Sequence, residues 1–558
     1  MKEKVIGTIL SGGSTTAAYC QLLESAERGN ITEGLLLIVK TVKGDVLARV
    51  AEIIPHNAFY QSGDPWSEVR RKGGNVPKNI ARQYEICKLD LLMSIGKGIS
   101  KDINFPPLPS EKVIELDLEG RVEELFGIKK NEKGYIWYGS LIKGKETPIP
   151  LNIEKLPMHL AIFGVTGSGK SYDTGVLIEQ FVKIPTSDTE AISYPLVIID
   201  AHGDYLDYVN HFKKEKQFGS ATWIKRFVFP IALRKGKLKS KSSADDLHKI
   251  AINLNNLHPR EIAETIILFY KGSISTESEL QVSAIEILIE KLLEEGHDIN
   301  DLFINKYKHF RDELNNLEHT VVHSSSKKAA IRALDKFHKV VEKDNQLLST
   351  ESILKSEKFI DQITSEGGIA LIDFSADGAP GVNIQLKQLA MTYLANVLFT
   401  KFTDYKIRGD NRFLLFMIEE AQNFCPSNSY PIGASLGHLK LSAIATQGRK
   451  FGLSLCLISQ RPSFVDKIVL SMCNTFLIHR ISPEDVSFVQ SVTGGLPSSL
   501  SKNLTRLSTG DAIVTGQMNC VPFPLRINIP FKSRKVKHTV GTTDVMKSLA
   551  KLRGIKYE

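Results

Sequence analysis

The sequence has 558 residues and a formal net charge of +9, because 71 Lys and Arg stand against 62 Asp and Glu. Its 42% apolar and 24% charged residues are ordinary for a globular protein, which excludes a disordered, collagen-like or disulfide-stapled chain. No apolar run approaches the roughly 18–20 residues of a membrane span, and the six cysteines lie far apart, so we expect a cytoplasmic protein with reduced thiols and no membrane contact.

Residues 1–150 are predicted to form a small β-barrel domain. Short apolar and β-branched segments alternate there with turns that contain Gly or Pro, a pattern typical of barrels. The segments predicted as strands are Val5–Leu10, Gly34–Thr41, Val46–Ile54, Val113–Leu118 and Tyr135–Ser140. A helix is predicted near Asn79–Met93, and Thr147–Pro150 is predicted as the linker that leaves the domain.

Residues 151–241 and 351–530 are predicted to form one α/β domain. Apolar runs of four to seven residues recur between helical segments, as in parallel strands whose two faces are covered by helices. The runs are Leu160–Phe163, Leu196–Ile199, Ile369–Phe374, Phe413–Ile418, Leu453–Ile458 and Thr475–Ile478. A helix with a wide apolar stripe is predicted over Val382–Phe402.

Two further regions do not follow this alternation. Residues 242–350 are predicted as a helical insertion, since they carry apolar stripes with helical spacing at Ile262–Tyr270, Ala284–Leu293 and Ala330–Val341. Residues 531–558 begin with a run of basic side chains and are predicted as a basic C-terminal tail.

A phosphate-binding loop is predicted between the first apolar run and the helix after it. Residues 164–171 match GxxxxGK[ST], in which backbone amides face a triphosphate, the lysine reaches the β- and γ-phosphates and the hydroxyl ligates Mg²⁺. The residues predicted to contact the nucleotide are Gly164, Thr166, Gly167, Ser168, Gly169, Lys170, Ser171 and Tyr172. The alternative is a glycine-rich turn without a ligand; the preceding strand and the following helix favour nucleotide binding.

Two predicted strands end in acids, which ATP hydrolysis requires to hold Mg²⁺ and to activate water. Glu419 and Glu420 end one strand and are expected to point different ways, because side chains alternate along a strand. We predict Glu420 as the catalytic glutamate and Glu419 as the acid on the Mg²⁺ side. Asp200, at the tip of the other strand, is a second candidate for the metal shell. The alternative is that these acids cap neighbouring helices.

Polar residues on either side of the predicted strand Leu453–Ile458 are candidates for a sensor of the γ-phosphate and for an arginine finger. Gln460 lies at the strand tip and is predicted to sense the γ-phosphate by hydrogen bonding. Arg449 and Arg461 are candidates for an arginine finger, a positive charge that often comes from a neighbouring subunit.

Five segments together resemble the HerA family within the HerA/FtsK superfamily of P-loop ATPases. They are HLAIFGVTGSGKS (159–171), LVIIDAHGDY (196–205), LLFMIEEAQNFCP (414–426), GRKFGLSLCLISQRP (448–462) and SMCNTFLIHRIS (471–482). The resemblance implies a RecA-like core that binds ATP and Mg²⁺, forms a homo-hexameric ring and translocates or unwinds duplex DNA through a central channel. It also implies a separate partner, either a nuclease in DNA end processing or an effector in bacterial antiviral defence.

By position, the resemblance assigns phosphate and Mg²⁺ to Lys170 and Ser171, catalysis to Glu420 and the sensor role to Gln460. It also implies that Arg449 is the finger that acts on the neighbouring subunit. Arg461 and Arg480 remain alternatives for that finger.

Other features leave the interpretation open. Many relatives have Glu where this chain has Asp204, and residues 242–350 match no family pattern. Candidate DNA contacts are the loop at 375–381 and the basic stretch Arg234–Lys241, which is equally compatible with a solvated turn. Two other functions use the same ring chemistry: a scaffold that activates a partner enzyme, and a motor for conjugation or secretion.

Overall fold

The computed structural model describes residues 4–27, 31–61, 63, 66–75, 83–96, 98–116, 126–129, 132–142, 147–187, 189–230, 247–272, 276–317, 324–349, 357–376, 379–380, 382–430 and 437–536. Within these residues the chain forms an antiparallel barrel, a large mixed sheet with helices on both faces, and a helical segment. The stretch Arg234–Lys241 and the tail beyond residue 536 lie outside them.

An antiparallel barrel forms the N-terminal region. Its strands are β1 (Val5–Ile9), β2 (Ala17–Leu22), β3 (Leu36–Thr41), β4 (Gly44–His56), β5 (Tyr84–Gly96), β6 (Gly98–Lys101) and β7 (Lys112–Glu115). They run in the order β2-β1-β7-β3-β4-β5-β6, and a pairing of β2 with β5 closes six of them into a ring. Side chains alternate between inside and outside, so Ala18, Cys20 and Leu22 of β2 are buried. The predicted barrel is confirmed.

The helix predicted near Asn79–Met93 is wrong. Strand β5 occupies the described part of this segment, and Cys87, Leu89, Leu91 and Met93 are buried at every second position. A period of two is that of a strand, and β5 is paired with β4 on one side and β2 on the other. Pairing with distant strands therefore decides the conformation of this segment.

Three short strands follow the barrel: β8 (Tyr135–Tyr138), β9 (Ser140–Leu141) and β10 (Ile149–Asn152). β8 pairs with β10, while β9 pairs with the last long strand of the large sheet. The predicted strand at 135–140 is thus divided between two sheets. The barrel strands end at Glu115, earlier than the predicted boundary at residue 150.

A large mixed sheet forms the centre of the rest of the chain. The strands after β10 are β11 (Leu160–Phe163), β12 (Ile184–Pro185), β13 (Ala191–Ile192), β14 (Leu196–Asp200), β15 (Ile224–Val228), β16 (Leu247–Lys249), β17 (Ile369–Asp373), β18 (Ser375–Ala376), β19 (Ala379–Pro380), β20 (Leu414–Ile418), β21 (Leu453–Ser459), β22 (Thr475–Ile478), β23 (Asp511–Gly516) and β24 (Leu525–Asn528). The large sheet has the order β16-β15-β17-β14-β20-β21-β11-β22-β23-β24-β9. Neighbours from β16 to β22 are parallel, and β23, β24 and β9 add antiparallel pairs. All six predicted strands belong to it, so the α/β prediction is confirmed.

Helices cover both faces of this sheet. The helices of the described residues are α1 (Glu24–Glu27), α2 (Ser67–Arg71), α3 (Lys170–Phe181), α4 (Leu206–Glu215), α5 (Pro259–Lys271), α6 (Thr276–Glu294), α7 (Ile299–Ile304), α8 (Tyr307–Asn316), α9 (Ser324–Phe337), α10 (Glu357–Glu366), α11 (Ile384–Arg408), α12 (His438–Gln447), α13 (Lys467–Ser471), α14 (Val486–Val492) and α15 (Ser498–Asn503). Phe163 and Ile199 lie in one core cluster, with α5–α11, whereas Ile162 and Ile198 lie in the other, with α3, α4 and barrel residues. Neither face of the central strands is open to solvent, which explains their uninterrupted apolar runs. No helix in the described part of the chain is long and apolar enough to cross a membrane.

The helical segment between 247 and 349 is part of the same core as the sheet. It begins with β16, an edge strand that sequence analysis did not predict, and continues through α5 to α9. Ile266, Phe303 and Phe337 on these helices are buried in the cluster that contains Phe163 and Ile199. The three stripes predicted as helical lie on α5, α6, and α9 with the π-helix His338–Asp344 that extends it. The segment therefore enlarges the α/β unit.

The C-terminal residues contribute two strands that sequence analysis missed. β23 and β24 extend the sheet beyond β22, and the chain after β24 lies against α3 and α4. The described part of the predicted basic tail, residues 531–536, is thus packed on the protein.

Candidate active site

The parallel strands bring the predicted site residues together at one edge of the sheet. β11 lies between β21 and β22, and β21 separates β11 from β20. Parallel neighbours end at the same edge, so the loop after β11, Glu419 and Glu420 after β20, and Gln460 after β21 are adjacent there.

The loop after β11 has a backbone that requires glycine. Gly167 and Gly169 have φ angles of 76° and 98°, in the left-handed region. A Cβ on Gly164 would lie 2.5 Å from Ser168 Oγ and 2.8 Å from His479 Cβ. The tight turn directs the start of α3 toward the carboxyl edge of the sheet.

The first turn of α3 presents free amides in this loop. Lys170, Ser171 and Tyr172 begin the helix, and the first amide with a recorded helical acceptor is that of Asp173, whose N–H donates to Gly169 O at 2.9 Å. Free amides at a helix N-terminus form an anion site. A 2.7 Å hydrogen bond between Asp173 Oδ2 and His479 Nε2 attaches α3 to the chain that follows β22. Both side chains are buried, so this hydrogen bond fixes the start of α3, and with it the phosphate loop, to the core of the sheet.

Glu420 is held as an ionised carboxylate next to this loop. It has a left-handed backbone (φ 52°, ψ 49°), and its Oε1 lies 3.9 Å from Lys170 Nζ and 3.5 Å from His202 Nε2. The side-chain amides of Gln460, at 2.6 Å, and Gln422 donate to it. Burial alone raises the pKa of Glu420, but the hydrogen bond from His202, the Lys170 charge and the hydrogen bonds from Gln422 and Gln460 outweigh it and lower the pKa to about 2. The carboxylate can therefore orient and polarise a water molecule at neutral pH.

Glu419 has the opposite environment. It is buried, and one carboxylate oxygen accepts a 3.0 Å hydrogen bond from the amide of Ala201. Burial and the nearby charges of Asp200 and Asp204 raise its pKa well above the usual range. The two neighbouring glutamates thus differ in protonation as well as in direction.

The donors beside the loop suit a magnesium ion that is shared with a nucleotide. Burial and the neighbouring acids disfavour the ionised form of Glu419 more than the Lys170 charge favours it, so a further cation would stabilise that form. No partner of the Ser171 hydroxyl is found among the described residues, and within the same residues no cluster of three or more acidic, His or Cys side chains forms a metal cage. Mg²⁺ typically uses one or two protein oxygens together with substrate phosphates and water. Ser171 and Glu419 would hold it here.

Asp200 organises the turn that follows β14. Its carboxylate accepts four amide hydrogen bonds from the turn that follows β14: His202 at 3.3 Å, Gly203 at 2.6 Å, Asp204 at 3.0 Å and Tyr205 at 3.0 Å. Burial and the neighbouring Asp373 raise its pKa to about 7. Asp200 thus organises the turn that carries His202, and its assignment to the metal shell stays a prediction.

Gln460 connects the phosphate loop to Glu420. Its Oε1 accepts a 2.8 Å hydrogen bond from Thr166 Oγ1, while its Nε2 donates to Glu420. Gln422, which donates to the other oxygen of Glu420, is itself fixed by Ser459 Oγ at 2.8 Å. Gln422 and His202 were not identified from the sequence. Their signal was proximity, since they lie two residues beyond Glu420 and Asp200, respectively.

The three candidate arginines lie in different places. Arg449 is exposed in the 3-10 turn Gly448–Phe451, before the amino end of β21, whereas Gln460 follows its carboxyl end. A seven-residue strand spans roughly 20 Å, so Arg449 cannot reach the phosphate loop of its own subunit. Arg461 is paired with Glu484 at 2.6 Å and with the buried Asp485 at 3.0 Å. Arg480 follows β22, and its carbonyl accepts from Val165 N at 2.9 Å, so its backbone borders the loop.

Tyr172 contributes to the site through its backbone. Its hydroxyl hydrogen-bonds the carbonyls of Pro530, at 3.2 Å, and Phe531, and accepts from the amide of Arg534 at 2.9 Å. Its side chain thus binds the C-terminal segment, while its amide belongs to the phosphate-facing turn.

Of the two loops predicted to contact DNA, only one is described in part. Ser375–Ala376 and Ala379–Pro380 form the two-stranded pair β18–β19, which follows β17 at the carboxyl edge of the sheet. The hydroxyl and amide of Ser375 both donate to Asp373. This loop is therefore on the same side of the sheet as the candidate active site.

Comparisons with known proteins show what this chain is similar to. Residues 136–401 match the family model described as "Helicase HerA, central domain". The DNA double-strand break repair helicase HerA of Saccharolobus solfataricus is 27% identical over 421 residues, which cover 74% of this chain and 72% of that protein. The protein of the same name from Pyrococcus furiosus is 24% identical over 583 aligned positions, covering 97% of this chain and 94% of that one. The structure of VirB4 of Thermoanaerobacter pseudethanolicus covers 72% of this chain and 98% of its own, with 13% identity and a TM-score of 0.45.

Proposed function

We propose that this chain, an ATP hydrolase that belongs to the HerA family of P-loop ATPases, uses ATP hydrolysis to translocate along or unwind duplex DNA. The observation that carries the proposal is the continuous path from Thr166 through Gln460 to the ionised Glu420, which links the phosphate loop to the hydrolytic carboxylate. Two relatives are named as DNA double-strand break repair helicases, and these names support DNA as the polymer on which the motor acts.

The geometry supports a division of labour in hydrolysis. The amides of the first turn of α3 and Lys170 hold the phosphates, and Mg²⁺, when bound, neutralises charge on the β- and γ-phosphates. Glu420, which is ionised and fixed by Gln460 and Gln422, orients and polarises the attacking water. Gln460 contacts both the loop and Glu420, so a change at the γ-phosphate would reach the carboxylate directly.

We further propose that the active unit is a homo-hexameric ring in which Arg449 completes the site of a neighbouring subunit. Arg449 is exposed, and no ion pair of its side chain is found among the described residues. Its position beyond the amino end of β21 puts it out of reach of its own loop, whereas a head-to-tail ring brings opposite edges of adjacent subunits together. The ion pairs of Arg461 make that residue the weaker candidate.

Two inactive variants test the ring. Lys170→Ala and Arg449→Ala should each lack ATPase activity, but co-expressed subunits should regain part of it. At equal amounts, about one quarter of the interfaces would pair an intact loop with an intact arginine. Co-expression of Arg461→Ala with Lys170→Ala should not give the same recovery, because the loss of Arg461 breaks ion pairs with Glu484 and Asp485 within one subunit. Mass photometry must show hexamers for every variant; hexamers without recovered activity in the mixture would contradict the finger in trans.

ATPase measurements with and without linear duplex DNA test the function itself. DNA should stimulate turnover by the wild-type chain, and Glu420→Gln should bind ATP without that response. We propose that the partner is a nuclease or defence effector in the same cytoplasmic compartment. If such a partner stimulates ATP turnover and DNA does not, the motor proposal is wrong and the chain is better described as a ring that activates a partner enzyme.

A further inference from the structure

An exposed aromatic ring lies next to the phosphate loop. The Phe531 side chain is 74% exposed, although large apolar side chains are normally buried. Its ring centroid is 5.6 Å from that of Tyr172, with the planes inclined at 60°. Tyr172 is the third residue of α3, so this ring lies beside the turn whose amides face the phosphates.

The segment that carries Phe531 is anchored along the length of α3. Near the start of the helix, the Tyr172 hydroxyl holds the carbonyls of Pro530 and Phe531. In the middle, the buried Arg534 guanidinium lies 5.0 Å from the Tyr208 ring and against Gly175, where a Cβ would come within 2.8 Å of it.

The far end of the segment is fixed by Glu179. Its buried carboxylate accepts from the amides of Lys535, at 2.9 and 3.1 Å, and Val536, at 3.0 Å. The contacts at Tyr172, Arg534 and Glu179 follow one another along α3, so the position of Phe531 is determined by the helix that begins the phosphate site.

The strand order shows which end of a nucleotide faces this ring. The hydrolytic residues Glu420 and Gln460 come from β20 and β21, on one side of β11. Phe531 follows β24, beyond β22 and β23 on the other side. The γ-phosphate must face Glu420, so the nucleoside leaves the loop toward β22–β24. The amide of Tyr172 is the last of the turn before the helical hydrogen bonds begin, and Phe531 lies directly past it.

We propose that Phe531 is the surface on which the purine base of the bound nucleotide stacks, with Tyr172 and Glu179 as positioning residues for it. The inference rests on nucleotide binding by the proposed ATPase and is independent of DNA. Stacking covers the exposed ring and uses the face of the base, which every nucleobase has. Phe531 thus adds affinity for the nucleoside without touching the phosphates.

Calorimetric titration of the full-length chain with ADP and with inorganic tripolyphosphate separates base binding from phosphate binding. Phe531→Ala should weaken ADP binding by about 5- to 150-fold, the range of base–aromatic stacking, and leave tripolyphosphate binding unchanged. Phe531→Trp should retain ADP affinity, and its fluorescence should change with ADP but not with tripolyphosphate. Phe413→Ala, at an exposed ring at the start of β20, is the matched control and should bind both ligands like the wild type.

Two results would overturn the proposal. Unchanged ADP affinity in Phe531→Ala would show that the ring does not contact the base. An equal loss of ADP and tripolyphosphate affinity would show that Phe531 only supports the loop. Failure of the DNA motor proposal leaves both titrations informative, since neither contains DNA. If Phe531→Ala does not fold, the fluorescence of Phe531→Trp decides between the same outcomes.

Discussion

Gln460→Ala tests the link between the phosphate loop and the hydrolytic carboxylate. The substitution removes the 2.6 Å hydrogen bond to Glu420 and the 2.8 Å hydrogen bond from Thr166. Glu420 remains buried and is still held by Gln422 and Lys170, so it loses alignment and one donor. A hydrogen bond to a charged group contributes about 1.5–3 kcal/mol, which corresponds to a fall in kcat of about 10- to 150-fold if the bond is needed in the transition state.

Steady-state phosphate release at saturating ATP measures this effect. KM should change by less than about threefold, because the amides of α3 and the Lys170 side chain are untouched. Gln21→Ala, on strand β2 of the barrel, serves as the control and should match the wild type. A raised KM with an unchanged kcat would refute the reasoning, since Gln460 would then bind ATP without positioning Glu420.

Four further substitutions follow from the geometry of the site and of the segment beside it. Glu420→Gln should reduce kcat by at least about 100-fold while equilibrium titration still detects ATP binding, because a general base is lost without a change of shape. Asp200→Ala should lower the melting temperature and reduce the free energy of unfolding by at least about 2 kcal/mol, because it leaves the amides of the turn after β14 without an acceptor. A variant that keeps its full stability but loses Mg²⁺ affinity would instead show that Asp200 belongs to the metal shell. Gly164→Ala should abolish nucleotide binding measured by calorimetry, because its Cβ would be 2.5 Å from Ser168 Oγ; normal affinity would contradict the rigidity assigned to the loop. Glu179→Gln keeps one acceptor for the amides of Lys535 and Val536 and should weaken ADP binding less than Phe531→Ala does in the same titration.

The central strands were predictable because their signal is local. A parallel strand covered by helices on both faces is apolar at every position, as in Leu196–Ile199 and Leu453–Ile458. Strand β5 carries apolar side chains at alternate positions among charged ones, and its pairing with β4 and β2 decides that it is not a helix. β23 and β24 lie in a region without long apolar runs, so their place beside β22 becomes visible only in the sheet.

The amino-acid sequence was sufficient to predict the phosphate loop, the central apolar strands around it, and Glu420 and Gln460 as candidate site residues at the ends of two of these strands. These depend on residue types at fixed local spacing: glycines for a turn with positive φ, a lysine at the start of a helix, and polar groups at the ends of apolar strands. Acids with the same local pattern are distinguished by their surroundings in the folded chain. Asp200 ends β14 and Glu420 follows β20, but the turn after β14 directs four amides at Asp200, while Lys170 at the start of α3 and Gln460 after β21 meet Glu420. The same reason applies to Phe531, which lies 359 positions from Tyr172 in the chain and reaches it because β24 ends beside α3.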